Sequence, residues 1–161
     1  MCWMCDHPGA NFEDYLGQLA RIIVETGWAV QVVERDRLRP PYAYTIGLTA
    51  RLKPELVVTG LTARRSAGLL NDVAAHLLHA DAEPEPGEQI HLTGGPLIEF
   101  VEVGVPEAHL TLVGEFFEPG YRALQLVHAD DRGHWPWEVG YRGLRGGQPV
   151  LGPRVPRSSA A

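Results

Sequence analysis

Two cysteines and a histidine stand within the first seven residues of this 161-residue chain. The Cys2-x-x-Cys5 spacing allows two thiolates to bind one metal ion, and the imidazole of His7 can add a third ligand from the same short segment. A structural zinc ion is bound by four ligands. The sequence therefore predicts a zinc site at Cys2, Cys5 and His7, with a fourth ligand drawn from a carboxylate or from His91, His109, His128 or His134.

Two other interpretations of the cysteines stay open. A redox pair of the thioredoxin type follows a strand and begins a helix, whereas no strand precedes Cys2. Cysteine also packs as a small apolar residue, so Cys2 and Cys5 could only fill space where the N-terminus meets the core. A disulfide between them would close a very small loop and stabilise little of the fold.

A second candidate site is aromatic. Tyr42, Tyr44 and Thr45 precede an Ile-Gly-Leu sequence, and Trp135 and Trp137 flank a proline near the other end of the chain. Aromatic rings with a few polar groups are typical of a small-molecule pocket, so these five residues are predicted to line one. The alternative is that the rings brace loop corners beside the neighbouring glycines and prolines.

Three helices are predicted from capping residues and apolar spacing. Asn11 caps the first, which ends at Gly27; Thr62 caps the second; and Pro106 begins the third. Between and after them, six runs rich in β-forming residues predict strands, the first three of them in an antiparallel meander. These runs are 28–34, 42–48, 55–59, 89–93, 97–103 and 123–128.

The grouping of strands into runs predicts an α+β fold, with about five to seven strands in a mixed or antiparallel curved sheet or a small barrel, and about three packed helices. Residues 1–145 are expected to form one domain. Glycine, proline, arginine and serine dominate residues 146–161, which are predicted to be an extended or flexible tail.

Charge and hydropathy restrict the function classes. The net charge is −6 and no cluster of Lys or Arg occurs, which disfavours nucleic-acid binding. No apolar run approaches the roughly 20 residues of a membrane span, and no signal peptide is recognisable at the N-terminus. A cytoplasmic protein that does not bind membranes is expected.

Four blocks of sequence resemble the domain-of-unknown-function (DUF) family 4262. They are the N-terminal Met1-Cys2-x-x-Cys5-Asp6-His7-Pro8, the segment from Pro41 to Leu48, the segment from Pro54 to Leu61, and Gln125-Leu126-Val127 together with Trp135-Pro136-Trp137. The family carries no established reaction, so the resemblance implies no catalytic residue.

A fainter similarity to flavin-binding split barrels rests on the order of Ala43 to Leu48, Leu56 to Val58 and the helix after Thr62. It implies FMN as a cofactor, with the Thr45 region and Arg64 and Arg65 near its phosphate. The leading hypothesis is a zinc-binding protein with a small-molecule pocket. A flavin-dependent oxidoreductase and a cofactor-free interaction module are the alternatives.

Overall fold

The computed structural model describes residues 3–155, which form a six-stranded mixed sheet. The strands lie in the order β1-β2-β3-β6-β5-β4, and the sheet is open, so the predicted α+β class with a mixed sheet is confirmed and the barrel alternative is not. The strands are β1 Ala29–Val33, β2 Tyr42–Ile46, β3 Glu55–Thr59, β4 Gln89–His91, β5 Leu97–Glu102 and β6 Ala123–His128.

Two long helices begin at the predicted capping residues. Helix α2, Phe12–Thr26, has a capping box in which Asn11 and Asp14 each bind the other's backbone amide, and it ends at Gly27 with φ 97°. Helix α3, Ala63–His79, is capped by the Thr62 hydroxyl. A single helical turn, α1, spans Trp3–Asp6 near the N-terminus.

The helix predicted after Pro106 is shorter than expected. One turn, α4, spans Pro106–His109, and a 3-10 turn follows at Thr111–Glu115. Tyrosine hydroxyls take up backbone groups at the break: Tyr42 donates to the His109 carbonyl at 3.2 Å, and the Leu112 amide donates to Tyr44 at 3.2 Å. The helix can end here because the tyrosines provide hydrogen bonds for the His109 carbonyl and the Leu112 amide.

Strand pairing places two distant segments side by side. Strands β1, β2 and β3 form the predicted antiparallel meander, and β4 and β5 form a hairpin. In the centre of the sheet β3 pairs in parallel with β6, with Leu56 opposite Leu124. The carboxyl ends of β3 and β6 therefore meet at the same edge, although more than 60 residues separate them along the chain.

The two faces of the sheet are covered differently. Helix α3 packs on one face against apolar side chains such as Val58, Phe100 and Leu126. Helix α2 and the segment after α4 cover part of the other face, around Tyr44 and Val57. Strand side chains alternate between faces, so each face receives every second residue.

Residues 148–154 run across the second face without regular secondary structure. The Pro149 carbonyl accepts hydrogen bonds from Thr59 at 2.8 Å and Gln125 at 2.7 Å, and the Gln125 side chain accepts from the Leu151 amide at 2.7 Å. Polar side chains of β3 and β6 thus hold this segment in place. Residues 156–161 of the predicted tail lie outside the described range.

None of the helices in residues 3–155 is long and apolar enough to cross a membrane.

Candidate functional site

A cavity of about 170 Å³ lies beyond the carboxyl ends of β3 and β6. After β3 the chain passes through Gly60 and Leu61 into helix α3, and after β6 it passes through Ala129 into a loop that ends near Tyr141. Ligand sites in open sheets commonly occupy the crevice at the carboxyl ends of parallel strands. The topology therefore favours this position for a binding site.

His128, the last residue of β6, is 5% exposed and lines the cavity. Its Nε2 lies 3.2 Å from the carbonyl oxygen of Thr59, so Nε2 carries the proton and donates. Burial lowers the pKa of His128, the backbone groups of Thr59 and Ala129 oppose this, and the positive charge of Arg65 lowers it further. The ring is therefore neutral near pH 7, with Nδ1 as a proton acceptor.

Gln148 holds the backbone of His128. Its Oε1 accepts from the His128 amide at 2.9 Å, and its Nε2 donates to the His128 carbonyl at 2.9 Å and to the Tyr141 hydroxyl at 2.8 Å. The two amide hydrogens of Gln148 are used by those two bonds, and the His128 Nδ1 is 3.5 Å from the same Nε2. Gln148 thus ties His128 to Tyr141 in the wall of the cavity.

Asp130 organises the loop that forms one wall of the cavity. Its carboxylate accepts from the amides of Arg132 at 2.9 Å, His134 at 2.8 Å and Arg142 at 2.9 Å. Burial alone would raise the pKa of Asp130, but these amides outweigh it and the pKa is lowered. Asp130 is therefore an ionised structural residue, already saturated with hydrogen bonds.

Two guanidinium groups of the described chain border the cavity. Arg65, in the first turn of α3, and Arg142 line it and are exposed. Neither guanidinium forms a hydrogen bond or an ion pair with another residue of the range 3–155. The exposed carboxylate of Asp131 also borders the cavity. This arrangement suits an anion that also carries hydrogen-bond donors.

The predicted pocket residues Tyr42 and Tyr44 lie elsewhere, on the second face of the sheet beside α2. Their rings are stacked with centroids 6.1 Å apart, and both hydroxyls bind the break after α4. Burial raises the pKa of both phenols. In this position the two tyrosines brace a loop corner, the alternative that the sequence left open.

Thr45 is fully buried, and its hydroxyl donates to the carboxylate of Glu55 at 2.6 Å. The same carboxylate accepts from the Gly47 amide at 3.0 Å and from both the amide and the hydroxyl of Thr49, at 3.0 and 2.7 Å. Burial raises the pKa of Glu55, and these hydrogen bonds oppose the rise. The Thr45 hydroxyl is thus committed to a closed polar cluster at the start of β3.

Trp135 and Trp137 form a separate cluster near the other end of the sheet. Their rings are stacked with centroids 5.3 Å apart, and the guanidinium of Arg154 lies 3.8 Å from the Trp137 ring. Arg154 also pairs with the buried Glu99 at 2.8 Å. The tryptophans and tyrosines belong to different packing clusters, so the structure does not bring the five predicted pocket residues together.

Cys5 lies in α1, and His7 is the first residue after this helix. Both side chains are exposed. The His7 ring stacks on Trp3 with centroids 4.3 Å apart, and His7 Nδ1 is 2.8 Å from the Trp3 carbonyl oxygen. Cys2 lies outside the described residues. Within the described part of the chain, no group of three or more His, Cys, Asp or Glu side chains is placed to bind a metal ion.

The four candidate histidines for a fourth metal ligand are dispersed. His91 Nε2 is 3.0 Å from the Gly95 carbonyl oxygen in the β4–β5 hairpin, and His109 ends α4. His128 lines the cavity. The Nδ1 atom of His134 lies 3.6 Å from Asp130 and is buried without a hydrogen-bond partner among residues 3–155.

Sequence reasoning named His128 and Arg65 singly and missed Tyr141, Arg142 and Gln148. His128 was named as a possible metal ligand, and Arg65 was named together with Arg64 as a contact for a flavin phosphate. Tyr141, Arg142 and Gln148 stand in a segment rich in glycine, where no periodic pattern shows which side chains point inward. Only the parallel pairing of β3 with β6 assembles the group.

Comparison with known families gives one match. Residues 22–142 match the model of DUF4262, a domain of unknown function, so the chain belongs to this family. No curated protein and no solved structure matches the chain. The matched range contains three of the four resembling sequence blocks and most of the cavity, while Cys2, Cys5 and His7 precede it and Gln148 follows it.

Proposed function

We propose that this member of the DUF4262 family binds a small anionic molecule in the cavity beyond β3 and β6. The observation that carries the proposal is the pair of guanidinium groups, Arg65 and Arg142, that border one cavity without a partner among residues 3–155. The buried and neutral His128 forms the wall beside them. A phosphate or carboxylate group satisfies both arginines, while Asp131 disfavours a second anionic group nearby.

The test is a titration of the protein with inorganic phosphate, followed by calorimetry or by amide chemical shifts. Loss of a charge-assisted hydrogen bond costs about 1.5–3 kcal/mol, so Arg65→Gln and Arg142→Gln are each expected to weaken binding by about tenfold or more. Arg64→Gln is the matched control, since Arg64 is the exposed neighbour on the same turn and does not line the cavity.

Binding is expected to weaken with rising ionic strength, because both guanidinium groups are exposed. An unchanged affinity in Arg65→Gln and Arg142→Gln, or no measurable binding of phosphate at all, would overturn the proposal.

The flavin hypothesis is a special case of an anionic ligand. Thr45 is committed to Glu55, so the support for a flavin phosphate rests on Arg65 and the cavity. FMN should then bind with a change in its visible absorbance that Arg65→Gln abolishes. An unperturbed FMN spectrum at saturating protein would rule out this cofactor and leave phosphate binding as a separate result.

A second candidate function is zinc binding by Cys2, Cys5 and His7, and the orientation of His7 favours it. Metal-bound histidines usually donate one ring N–H to a carbonyl, which fixes the tautomer and presents the other nitrogen to the metal. His7 Nδ1 has this relation to the Trp3 carbonyl at 2.8 Å, so Nε2 is the nitrogen left for a metal.

Metal content of the untagged, reduced protein tests the zinc proposal. One equivalent of zinc is expected in the native chain and none in Cys2→Ser or Cys5→Ser, with weaker retention in His7→Gln. His79→Gln, a change of an exposed histidine in α3, serves as the control. Because thiolate ligation releases protons, the protein should retain less zinc as the pH is lowered. Native protein purified without zinc and unable to take it up would exclude the site.

A further inference from the structure

A second cavity adjoins the first and extends toward the β4–β5 hairpin. Its volume is about 340 Å³, and it shares Arg65, Ala129, Asp130 and Asp131 with the first cavity. The shared residues form a common border, so one molecule could occupy both cavities. The first cavity alone, at about 170 Å³, has room for little more than an anionic group.

Two glycines lie in the far wall of the second cavity. This wall includes Gly94, Gly95 and Pro96 at the turn of the hairpin. The turn is held by the Gly95 amide, which donates to the Leu92 carbonyl at 2.9 Å, and by His91 Nε2, 3.0 Å from the Gly95 carbonyl. Glycines leave room for a ligand because they carry no side chain.

Charge divides the two cavities into different environments. Arg142 borders the first cavity and not the second, while Arg65 borders both. The exposed Asp131 stands on the shared border and can accept hydrogen bonds from hydroxyl groups. An anion is therefore favoured on the side of Arg142, and a neutral body with hydroxyl groups is favoured on the side of the hairpin.

We infer that the ligand of this site is a phosphate monoester of a hydroxylated compound, of the sugar phosphate class. Its phosphate lies between Arg65 and Arg142, and its hydroxylated body extends past Asp131 into the cavity beside Gly95. A tetrahedral group with three terminal oxygens can accept hydrogen bonds from both guanidinium groups at once, which a planar carboxylate does less well. This inference rests on the proposed anion site.

Ribose 5-phosphate and inorganic phosphate are the two probes. In the native chain the ester is expected to bind at least about tenfold more tightly than phosphate, the increment given by one or two additional hydrogen bonds. Arg142→Gln should weaken both probes to the same degree, because it acts on the phosphate that they share.

Gly95→Phe separates the two parts of the ligand. Gly95 has no positive φ, and a β-carbon there would meet only the Leu92 carbonyl oxygen at 3.5 Å and the Leu92 β-carbon at 3.8 Å, so the turn accepts a side chain. This variant should reduce the affinity for ribose 5-phosphate to that for phosphate and leave phosphate binding unchanged. Thr93→Phe adds the same ring at an exposed residue of the same turn that does not line the cavity.

The outcomes distinguish the two proposals. Equal affinities of the native chain for both probes, or no effect of Gly95→Phe on the ester, would overturn the inference while leaving the anion site intact. Failure of both probes to bind would overturn the anion site and the inference together. Loss of phosphate binding in Gly95→Phe would also count against the division into two cavities.

Discussion

The two ends of β3 use polar side chains in opposite ways. At the amino end, the carboxylate of Glu55 is fully buried and accepts four hydrogen bonds from Thr45, Gly47 and Thr49. At the carboxyl end, about 13 Å away at the usual rise per residue, two guanidinium groups border the cavity without a hydrogen-bond or ion-pair partner among residues 3–155.

This difference separates a structural cluster from a binding site. A buried polar group with all its hydrogen bonds made inside the protein has nothing left to offer a ligand, and its removal acts on stability. A group with unused capacity acts on binding, and its removal changes stability little. Variants at the closed end should therefore change stability, and variants of the two arginines at the open end should change binding.

The largest expected effect is at the closed end. Glu55→Ala leaves two buried and two half-buried donors without an acceptor and should lower the free energy of unfolding by about 3–5 kcal/mol. Urea denaturation measures it, with Glu25→Ala, at an exposed helical position, as the control. Glu55→Gln, which keeps an acceptor, should lose less.

The comparison adds a second readout for Glu55→Ala. If enough of the variant is folded at low temperature, its affinity for phosphate should equal that of the native chain, since the cavity lies at the other end of the strand. A loss of stability below about 1 kcal/mol would show that the cluster around Glu55 contributes little to the stability of the fold.

A smaller effect is expected where the cavity wall itself is structural. Gln148→Ala removes the partners of the His128 amide and carbonyl and of the Tyr141 hydroxyl, and unsatisfied buried groups cost about 1–3 kcal/mol each. Because water can replace part of these bonds, we expect a loss of about 2 kcal/mol, with Gln18→Ala as the control. Phosphate binding should weaken as well, in contrast to Glu55→Ala.

An unchanged affinity for phosphate in Gln148→Ala would show that the segment after Gly143 does not shape the cavity. Gln148 lies outside residues 22–142, so such a result would confine the site to the part of the chain that matches the family.

The helices and strands were more accessible from the sequence than the polar groups at either end of β3. The helix caps at Asn11 and Thr62 and the strand runs are local signals, because capping and alternation act over a few residues. Thr45, Gly47 and Glu55 are also close in sequence, within one antiparallel hairpin. Thr45 was predicted to line a pocket because the sequence pattern does not show that the Thr45 hydroxyl donates to the Glu55 carboxylate.

The open end depends on a contact that no local pattern reports. Strands β3 and β6 are neighbours in the sheet although α3 and the β4–β5 hairpin lie between them in the chain. The sequence therefore did not show that Arg65 and His128 lie at one cavity. The glycine-rich residues after 140 carry little periodicity, which hid the roles of Tyr141 and Gln148. The zinc prediction at Cys2, Cys5 and His7 stays a prediction.

The pH dependence of stability is expected to report the buried histidine at the open end. The pKa of His128 is lowered in the folded chain from its ordinary value of 6.5, so below pH 6.5 the unfolded chain takes up a proton that the folded chain does not. The free energy of unfolding should therefore fall as the pH decreases from 6.5 through the folded pKa. His128→Asn should reduce this slope, and His79→Gln should not.

The smallest expected effect on stability belongs to the two arginines. Arg65→Gln and Arg142→Gln remove exposed guanidinium groups that have no partner among residues 3–155, so the free energy of unfolding should stay within about 0.5 kcal/mol of the native value. The same variants should lose phosphate affinity by about tenfold or more. A loss of stability above about 1.5 kcal/mol with unchanged phosphate binding would contradict this comparison. The arginines would then stabilise the fold, as Glu55 does, and would not form a binding site.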